Sequence, residues 1–309
     1  MLWKDFLKRT TSDLAAYLAN DIQYSGLPKY RIRQVAWREI EIFLENYKRW
    51  SPEKLILNEN KKINEKDRKI LNKFVGKRKK AIPLAYITGK QEFYGSSFKV
   101  DKNTLIPRPE TEELVERALN FISGRFKSER RPLVLVDVGT GSGCIIVSAI
   151  KHLPSDITDY RAYGIDISAA TLKLAKMNAY ALLGKQNKIK FIKGSLLNFL
   201  KNNKMPQSTF LVILANLPYL SEKEHGHLSR EVKNNEPRKA LIAGSKGQEL
   251  ILKLLNQIIE YDFRGKIFIE LSPAVYPAIK KYCATNAKLL DFRKFADING
   301  NIRFATLNF

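Results

Sequence analysis

Three short segments of the sequence carry residues whose types and spacing could support chemistry. The first is the glycine run GTGSG at residues 139–143, which directly follows the apolar segment LVLVDV. Glycines at such a position let the backbone turn at positive φ and let a ligand approach the main chain and the N-terminus of the next helix. The G-x-G-x-G spacing differs from the G-x-G-x-x-G fingerprint of dinucleotide-binding proteins. Taken alone, the run fits either a nucleoside-binding loop or a plain tight turn.

The second segment, YGIDIS, places Asp166 at the end of a predicted strand. A carboxylate at the C-terminal edge of a strand beside the glycine run can accept hydrogen bonds from both hydroxyl groups of a ribose. Asp166 could instead cap the following helix, although Ser168 can perform that role. A glycine loop combined with an acidic strand end predicts a nucleoside cofactor, either S-adenosylmethionine or NAD. The glycine spacing and the third segment favour S-adenosylmethionine.

The third segment is NLPY at residues 216–219, which follows the apolar run LVILA. The side-chain oxygen of Asn216 and the carbonyl of Leu217 can accept the two N–H groups of a planar amine or amide and aim its nitrogen at a methyl group. Pro218 restricts Leu217 to an extended backbone, which fixes the direction of that carbonyl. The aromatic ring of Tyr219 supplies a flat wall of the acceptor site. The segment therefore predicts methyl transfer to an amino or amide nitrogen.

Alternating strand and helix patterns after residue 108 predict the scaffold that positions these segments. Helices are predicted at residues 110–123, 144–152, 169–183 and 248–260, and strands at residues 133–138, 162–167, 190–193, 211–214 and 266–271. This rhythm indicates an α/β fold with a mostly parallel, Rossmann-like sheet and helices on both of its faces. Asp166 and Asn216 then follow strands whose carboxyl ends open into the ligand crevice of the sheet.

The N-terminal part of the chain has a helical pattern instead. Apolar residues at three- and four-residue spacing predict helices over residues 30–47 and 65–77, after a first helix within residues 1–21. We predict a small helical bundle as a domain over residues 1–80. Residues 83–100, rich in aromatic and β-branched side chains, predict a β-hairpin within a linker over residues 81–107. The α/β domain is predicted over residues 108–309.

The composition limits the classes of partner and compartment. The chain has 54 lysines and arginines against 31 acidic residues, a formal net charge of +23. Such an excess favours polyanionic partners, so weak contact with nucleic acid or the ribosome is an expectation, although the lysines are spread along the chain. No segment has the length and apolarity of a membrane span or a secretory signal.

The cysteines and histidines bear on whether the chain forms disulfides or binds a metal. The two cysteines, Cys144 and Cys283, lie far apart and indicate a reducing cytoplasm without disulfides. The pair His225 and His227 lacks the further ligands of a zinc site, and no metal is predicted.

Several motifs together resemble one known family, the peptide chain release factor glutamine N5-methyltransferases. PLAYITGKQEFYG is similar to the interdomain hairpin of that family, LIPRPETEELVE to its linker signature, and DVGTGSG to its cofactor loop. NLPY resembles N-P-P-Y, EPRKALIAGSKG the element after it, and DINGNIRF the closing D-x-x-G-x-x-R motif. The resemblance covers nearly the whole chain. It implies a class I methyltransferase that uses S-adenosylmethionine, releases S-adenosylhomocysteine and modifies the glutamine of a Gly-Gly-Gln loop in a release factor.

The resemblance also implies roles for individual residues. The implied substrate-binding and catalytic residues are Asn216, Leu217, Pro218 and Tyr219. The implied cofactor-binding residues are Gly139, Thr140, Gly141, Ser142, Gly143, Asp166, Leu196 and Asn216. The sequence departs from the family at Leu217, which replaces a proline, at Ser195, which replaces an aspartate, and at ELSPA, which replaces an E-I-G motif. The helical bundle is expected to dock the release factor.

Two alternatives remain open from the residues. An N6-adenine methyltransferase of DNA or RNA uses a tetrapeptide of the same kind to orient the amino group of a flipped base. The basic charge of the chain favours this alternative. The chain lacks an evident extra target-recognition domain, which opposes it. A non-enzymatic RNA-binding or ribosome-associated module would require the cofactor loop and Asn216 to be relics, whereas both are intact.

Overall fold

The computed structural model describes residues 1–126, 132–201, 209–297 and 299–309. The α-helices of these residues are α1 (Trp3–Leu18), α2 (Lys29–Lys48), α3 (Pro52–Asn58), α4 (Glu65–Arg78), α5 (Leu84–Thr88), α6 (Glu112–Phe126), α7 (Cys144–Lys151), α8 (Ala169–Leu183), α9 (Glu222–Gly226), α10 (Arg230–Asn235), α11 (Glu249–Tyr261) and α12 (Tyr276–Ala284). The strands are β1 (Lys90–Phe93), β2 (Ser96–Lys99), β3 (Leu133–Val138), β4 (Tyr160–Asp166), β5 (Ile189–Lys193), β6 (Phe210–Ala215), β7 (Leu220–Ser221), β8 (Ile242–Gly244), β9 (Gly265–Glu270), β10 (Leu290–Ala296) and β11 (Ile302–Asn308). Among the residues described, we find no helix with the length and apolar character needed to cross a membrane.

The chain divides into two compact units. The first comprises residues 1–90 together with residues 227–235, and the second comprises residues 91–226 and 236–309. The first unit therefore includes α10, which lies within residues 108–309, the range predicted for the α/β domain. The domain boundaries at residues 80 and 107 remain a prediction.

The first unit is a helical bundle with its own apolar core. Phe6 and Leu14 of α1 and Ile40 and Leu44 of α2 are fully buried in this core. Their spacing of four or eight residues places each pair on one face of its helix, which is why the periodic pattern predicted α2 and α4 to within a residue or two. The short helix α3 was not predicted. It begins after Ser51, whose side chain accepts a hydrogen bond from the backbone N–H of Lys54.

A buried ion cluster ties α10 to this bundle. Arg78, with 1% of its surface exposed, donates from Nε and Nη2 to the carboxylate of Glu39, each at 2.7 Å. Its Nη1 donates to Glu231 at 2.9 Å and to the carbonyl oxygen of Ile82 at 2.6 Å. Burial alone would lower the pKa of Arg78, but the bonds to Glu39 and the charges of Glu39 and Glu231 raise it above its ordinary value.

The predicted hairpin over residues 83–100 is wrong for its first third. Residues 84–88 form the helix α5, and only β1 and β2 form the two-stranded sheet. Pro83 precedes the helix as its N-cap residue, and Gly89 ends it in the left-handed conformation, with φ of 75°. These two end signals outweigh the β-branched and aromatic side chains between them.

The second unit contains a seven-stranded sheet in the order β10-β11-β9-β6-β3-β4-β5. The five strands from β9 to β5 are parallel, which confirms the predicted fold class of a mostly parallel sheet between helices. Every residue of the central strand β3 is buried. Alternate residues of β3 contribute to different apolar clusters, with Val134 and Val136 in one and Leu133 and Leu135 in the other, so both faces of the sheet are covered.

Four strands of the second unit were not predicted. β10 and β11 extend the seven-stranded sheet beyond β9, and each pairs antiparallel with its neighbour. β7 and β8 form a separate two-stranded sheet after the segment at residues 216–219. The chain order also changes direction between β3 and β6, because β4 lies on one side of β3 and β6 on the other. Such a switch point forms a crevice at the carboxyl ends of the strands, where ligands bind in open α/β sheets.

Candidate active site

The glycine run leaves β3 at this switch point and leads into α7. The backbone N–H groups of Gly139 and Thr140 both donate to the carbonyl oxygen of Ile165, each at 2.9 Å. Gly139 has φ of 78°, and a Cβ added there would lie 3.1 Å from Cδ2 of Leu217. Glycine is thus required by both the backbone angle and the close approach of the segment that follows β6.

A buried carboxylate lies directly before this loop. Oδ2 of Asp137 accepts hydrogen bonds from the hydroxyl of Thr140 at 2.6 Å and from the backbone N–H of Ile146 at 3.3 Å. Among the described residues, Oδ1 has no hydrogen-bond partner. Burial raises the pKa of Asp137 to about 7, against the two hydrogen bonds that lower it. Asp137 therefore links the glycine loop to the first turn of α7 through a single oxygen.

We expect Asp137→Asn to stabilise the protein at alkaline pH. The folded-state pKa of about 7 lies above the ordinary pKa of an aspartate, which the unfolded chain retains. The contribution of Asp137 to the free energy of unfolding is therefore greatest below the pKa of the unfolded chain. It is lost as the pH rises through the folded-state pKa of about 7. Asparagine keeps an oxygen for both donors and carries no charge. We expect a Tm on the order of 5–10 °C above the wild type at pH 8, with a smaller difference at pH 5, in scanning calorimetry. An equal difference at both pH values would contradict this origin.

Asp166 lies at the end of β4, next to the glycine loop. Its Oδ2 accepts from the backbone N–H of Gly141 at 3.2 Å, and its Oδ1 accepts from that of Ser168 at 2.9 Å. Ser168, not Asp166, is the N-cap residue of α8, because its hydroxyl oxygen accepts from the backbone N–H of Thr171. Burial raises the pKa of Asp166 above its ordinary value. Each oxygen keeps capacity for a further donor.

These residues border a cavity of about 360 Å³ at the carboxyl ends of β3, β4 and β6. Seven of the predicted site residues line it: Gly139, Gly141, Asp166, Leu196, Asn216, Leu217 and Pro218. Leu196 is held with φ of 51°, in the left-handed region that is uncommon for leucine. Ser195 also lines the cavity. The fold thus brings these seven residues together around one cavity.

The other predicted residues lie behind this lining. Thr140 and Ser142 are buried, and Thr140 bonds to Asp137 as described. Gly143 precedes α7, where an added Cβ would lie 3.2 Å from Cβ of Ala175, so it serves close packing of α7 against α8. Tyr219 donates its hydroxyl to Oε1 of Glu270 at 3.2 Å. The closing motif DINGNIRF includes Ile298, which lies outside the described residues.

Two residues without a predicted role adjoin the segment at residues 216–219. The side-chain Nδ2 of Asn216 donates to Oγ1 of Thr111 at 3.0 Å. The hydroxyl of Thr111 donates to Oε2 of Glu270 at 2.7 Å. Thr111 belongs to the quoted segment LIPRPETEELVE, and Glu270 begins the divergent ELSPA, but nothing local in either segment signals that they meet Asn216. Burial raises the pKa of Glu270, against hydrogen bonds from both hydroxyls and the nearby positive charge of Arg303.

The comparisons with known proteins agree with this architecture. A family model described as PrmC N-terminal domain matches residues 33–89, and a model described as N-6 DNA Methylase matches residues 112–262. A release factor glutamine methyltransferase of Rhodopirellula baltica is 34% identical to this chain over 270 residues, covering 87% of this chain and 88% of that protein. The chain belongs to the release factor glutamine methyltransferase family. A second family member, from Enterococcus faecalis, is 33% identical and covers 85% of this chain and 89% of its own length.

Solved structures support the fold. The catalytic domain of hMettl16, in a crystal structure with MAT2A 3'UTR hairpin 6, matches with a TM-score of 0.51 at 14% identity, covering 72% of this chain and 79% of that chain. At this identity the likeness concerns the fold only. The family assignment therefore depends on the sequence relatives, whose similarity extends over both units of the chain.

Proposed function

We propose that this chain methylates the side-chain amide nitrogen of a glutamine in a peptide chain release factor, with S-adenosylmethionine as methyl donor. The observation that carries the proposal is the position of Asn216, whose side chain lines the cavity beside the glycine loop in a member of this family. The glutamine of a Gly-Gly-Gln loop is the proposed acceptor, and S-adenosylhomocysteine is the proposed product.

The residues of the cavity fit this cofactor. Asp166 presents two oxygens that already accept one backbone N–H each and can accept one ribose hydroxyl each. Ile167, Leu196 and Leu250 supply apolar surface for an adenine ring, and the volume of about 360 Å³ is suited to a small molecule. When bound, S-adenosylmethionine supplies an electrophilic methyl group.

The chain itself supplies orientation for the reaction. We propose that Oδ1 of Asn216 and the carbonyl oxygen of Leu217 accept the two N–H groups of the acceptor amide, which fixes the direction of its nitrogen. Leu217 is buried, and Pro218 limits its backbone, so a leucine can replace the family's proline at this position. Tyr219, anchored through its hydroxyl to Glu270, is proposed as a wall of the acceptor site.

A release factor is the proposed partner because a single glutamine offers little contact area. Remote contacts must then supply the binding energy that positions the glutamine. We propose that the helical unit contributes these contacts. We also propose that the reaction takes place in the cytoplasm, where Cys144 and Cys283 persist as free buried thiols. Contact of the basic surface with nucleic acid or the ribosome stays a secondary proposal.

One experiment tests this function against N6-adenine methylation. The full chain is incubated with S-adenosylmethionine carrying a labelled methyl group and, separately, with purified release factors, duplex DNA, single-stranded DNA and RNA. Mass spectrometry then locates the label. We expect label on the glutamine of the Gly-Gly-Gln loop, whereas label on adenine alone would favour the alternative and contradict the proposal.

We expect Asp166→Ala to weaken cofactor binding. The substitution removes two hydrogen bonds between a carboxylate and the ribose, and hydrogen bonds to charged groups are individually strong. The Kd for S-adenosylhomocysteine should therefore rise about tenfold to a hundredfold in titration calorimetry. The exposed Asp156, replaced by alanine, serves as a control with unchanged binding. A Kd within about twofold of the wild type for Asp166→Ala would remove this residue from the proposed cofactor site.

A further inference from the structure

A chain of hydrogen bonds links Asn216 to a buried carboxylate on a different strand. Glu270 is the last residue of β9 and has 1% of its surface exposed, and Thr111, which precedes α6, has 2% exposed. Thr111 is 2.7 Å from Glu270 and 3.0 Å from Nδ2 of Asn216. Glu270 also accepts from the hydroxyl of Tyr219 on its other oxygen. A single carboxylate therefore contacts one end of the segment at residues 216–219 directly and the other end through Thr111.

The chemistry of these groups fixes a direction. A carboxylate is an acceptor only, so the single hydroxyl hydrogen of Thr111 is used on Glu270. The oxygen of Thr111 can then act only as an acceptor toward Asn216, and it selects the NH₂ group of the amide. Rotating that amide by half a turn would place Oδ1 against an oxygen that has no hydrogen to offer. The arrangement therefore directs Oδ1 of Asn216 away from Thr111.

We infer that Thr111 and Glu270 are positioning residues that hold the Asn216 amide in the orientation needed to accept an N–H of the substrate amide. This inference rests on the proposed function. Neither residue is proposed to touch the substrate. Without the relay, the NH₂ and oxygen of Asn216 would exchange places in part of the population. An NH₂ group facing the acceptor amide would oppose its N–H donors, and turnover would fall.

The test compares Thr111→Val with Thr111→Ser in the full chain. Valine has nearly the shape of threonine but removes the hydroxyl, whereas serine retains it. We expect kcat for release factor methylation to fall about tenfold or more in the valine variant, as for other losses of acceptor alignment, with KM and the Kd for S-adenosylhomocysteine within about threefold. The serine variant should stay within about threefold of the wild-type kcat. Similar losses in both variants, or a valine variant with near-normal kcat, would overturn the inference.

Two further measurements separate positioning from a purely structural role. The side-chain NH₂ signals of Asn216, identified by their absence in Asn216→Ala, should shift in ¹⁵N-correlated NMR spectra of the valine variant and not in those of the serine variant. In a double-mutant cycle, Thr111→Val should cost less in a Glu270→Met background, which has no acceptor for the Thr111 hydroxyl, because the two residues act through one relay. Unshifted signals or additive losses would contradict the relay.

If Thr111→Val does not fold, Thr111→Ala decides the question. Alanine also removes the hydroxyl and is smaller than threonine, so kcat should fall with little change in KM, and an unchanged kcat would overturn the inference. The wild-type chain separates this inference from the proposed function. Wild-type protein that fails to methylate glutamine contradicts the function itself, whereas an active wild type with unaffected variants contradicts only the relay.

Discussion

Asn216→Ala should lower kcat/KM for release factor methylation by about a hundredfold or more, the scale seen when one positioned polar contact to a reacting group is removed. The alanine side chain cannot accept an N–H of the acceptor amide, so the nitrogen loses its alignment. Binding of S-adenosylhomocysteine should change by less than about threefold, because Asp166 and the glycine loop are unaltered. Initial rates and titration calorimetry measure these two quantities.

The matched control for this substitution is Asn120→Ala. Asn120 is an exposed asparagine on α6 in the same unit, so its replacement removes an equal number of atoms from the surface. We expect wild-type rates from it. Near-normal turnover of Asn216→Ala would show that the proposed orientation of the acceptor is wrong, whatever the effect on cofactor binding.

Arg78→Ala should have the largest effect on stability. The substitution leaves the buried carboxylate of Glu39 and the half-buried carboxylate of Glu231 without their cation, and removing one partner of a buried ion pair costs about 3–5 kcal/mol. All three tryptophans, Trp3, Trp37 and Trp50, belong to the helical unit, so urea unfolding followed by tryptophan fluorescence reports on this unit alone.

Arg68→Ala on the same helix is the control. Its partner Glu65 has a side chain that is 58% exposed, and exposed ion pairs contribute about 0–1 kcal/mol. We expect its fluorescence transition to stay close to that of the wild type. If both arginine variants shifted the urea unfolding transition equally, burial of the ion cluster would not determine how much it contributes to stability.

The sequence predicted the elements whose pattern is local. β3 and the glycine run were predictable because a short strand that is apolar except for Asp137, followed by three glycines, leaves few alternatives. α5 was missed because Pro83 and Gly89 mark helix ends, while the residues between them have strand propensity. β10 was missed because most of its residues are exposed or half-buried, so it lacks the continuous apolar run of the inner strands.

The part of the candidate site that could not be predicted depends on contacts distant in sequence. Thr111 and Asn216 are separated by 105 positions, and Thr111 and Glu270 by 159. No periodicity or motif spacing connects residues at such distances. Their meeting follows from the order of strands in the sheet, where β9 lies beside β6 and the two carboxyl ends come together. Family resemblance identified Asn216, but the partners that orient its amide required the three-dimensional fold.

The discontinuous make-up of the helical unit has a consequence for folding during synthesis. Domains generally fold as units as the chain emerges, the N-terminal one first, at about 5–20 residues per second. Here Glu231 is 153 positions after Arg78. Once residue 90 has been added, synthesis through residue 235 takes roughly 7–30 s at that rate. During that interval Arg78 and Glu39 can pair, but α10 does not yet exist. The nascent helical unit therefore lacks α10 and the ion pair between Arg78 and Glu231 until after β3, β4, β5 and β6 have been synthesised.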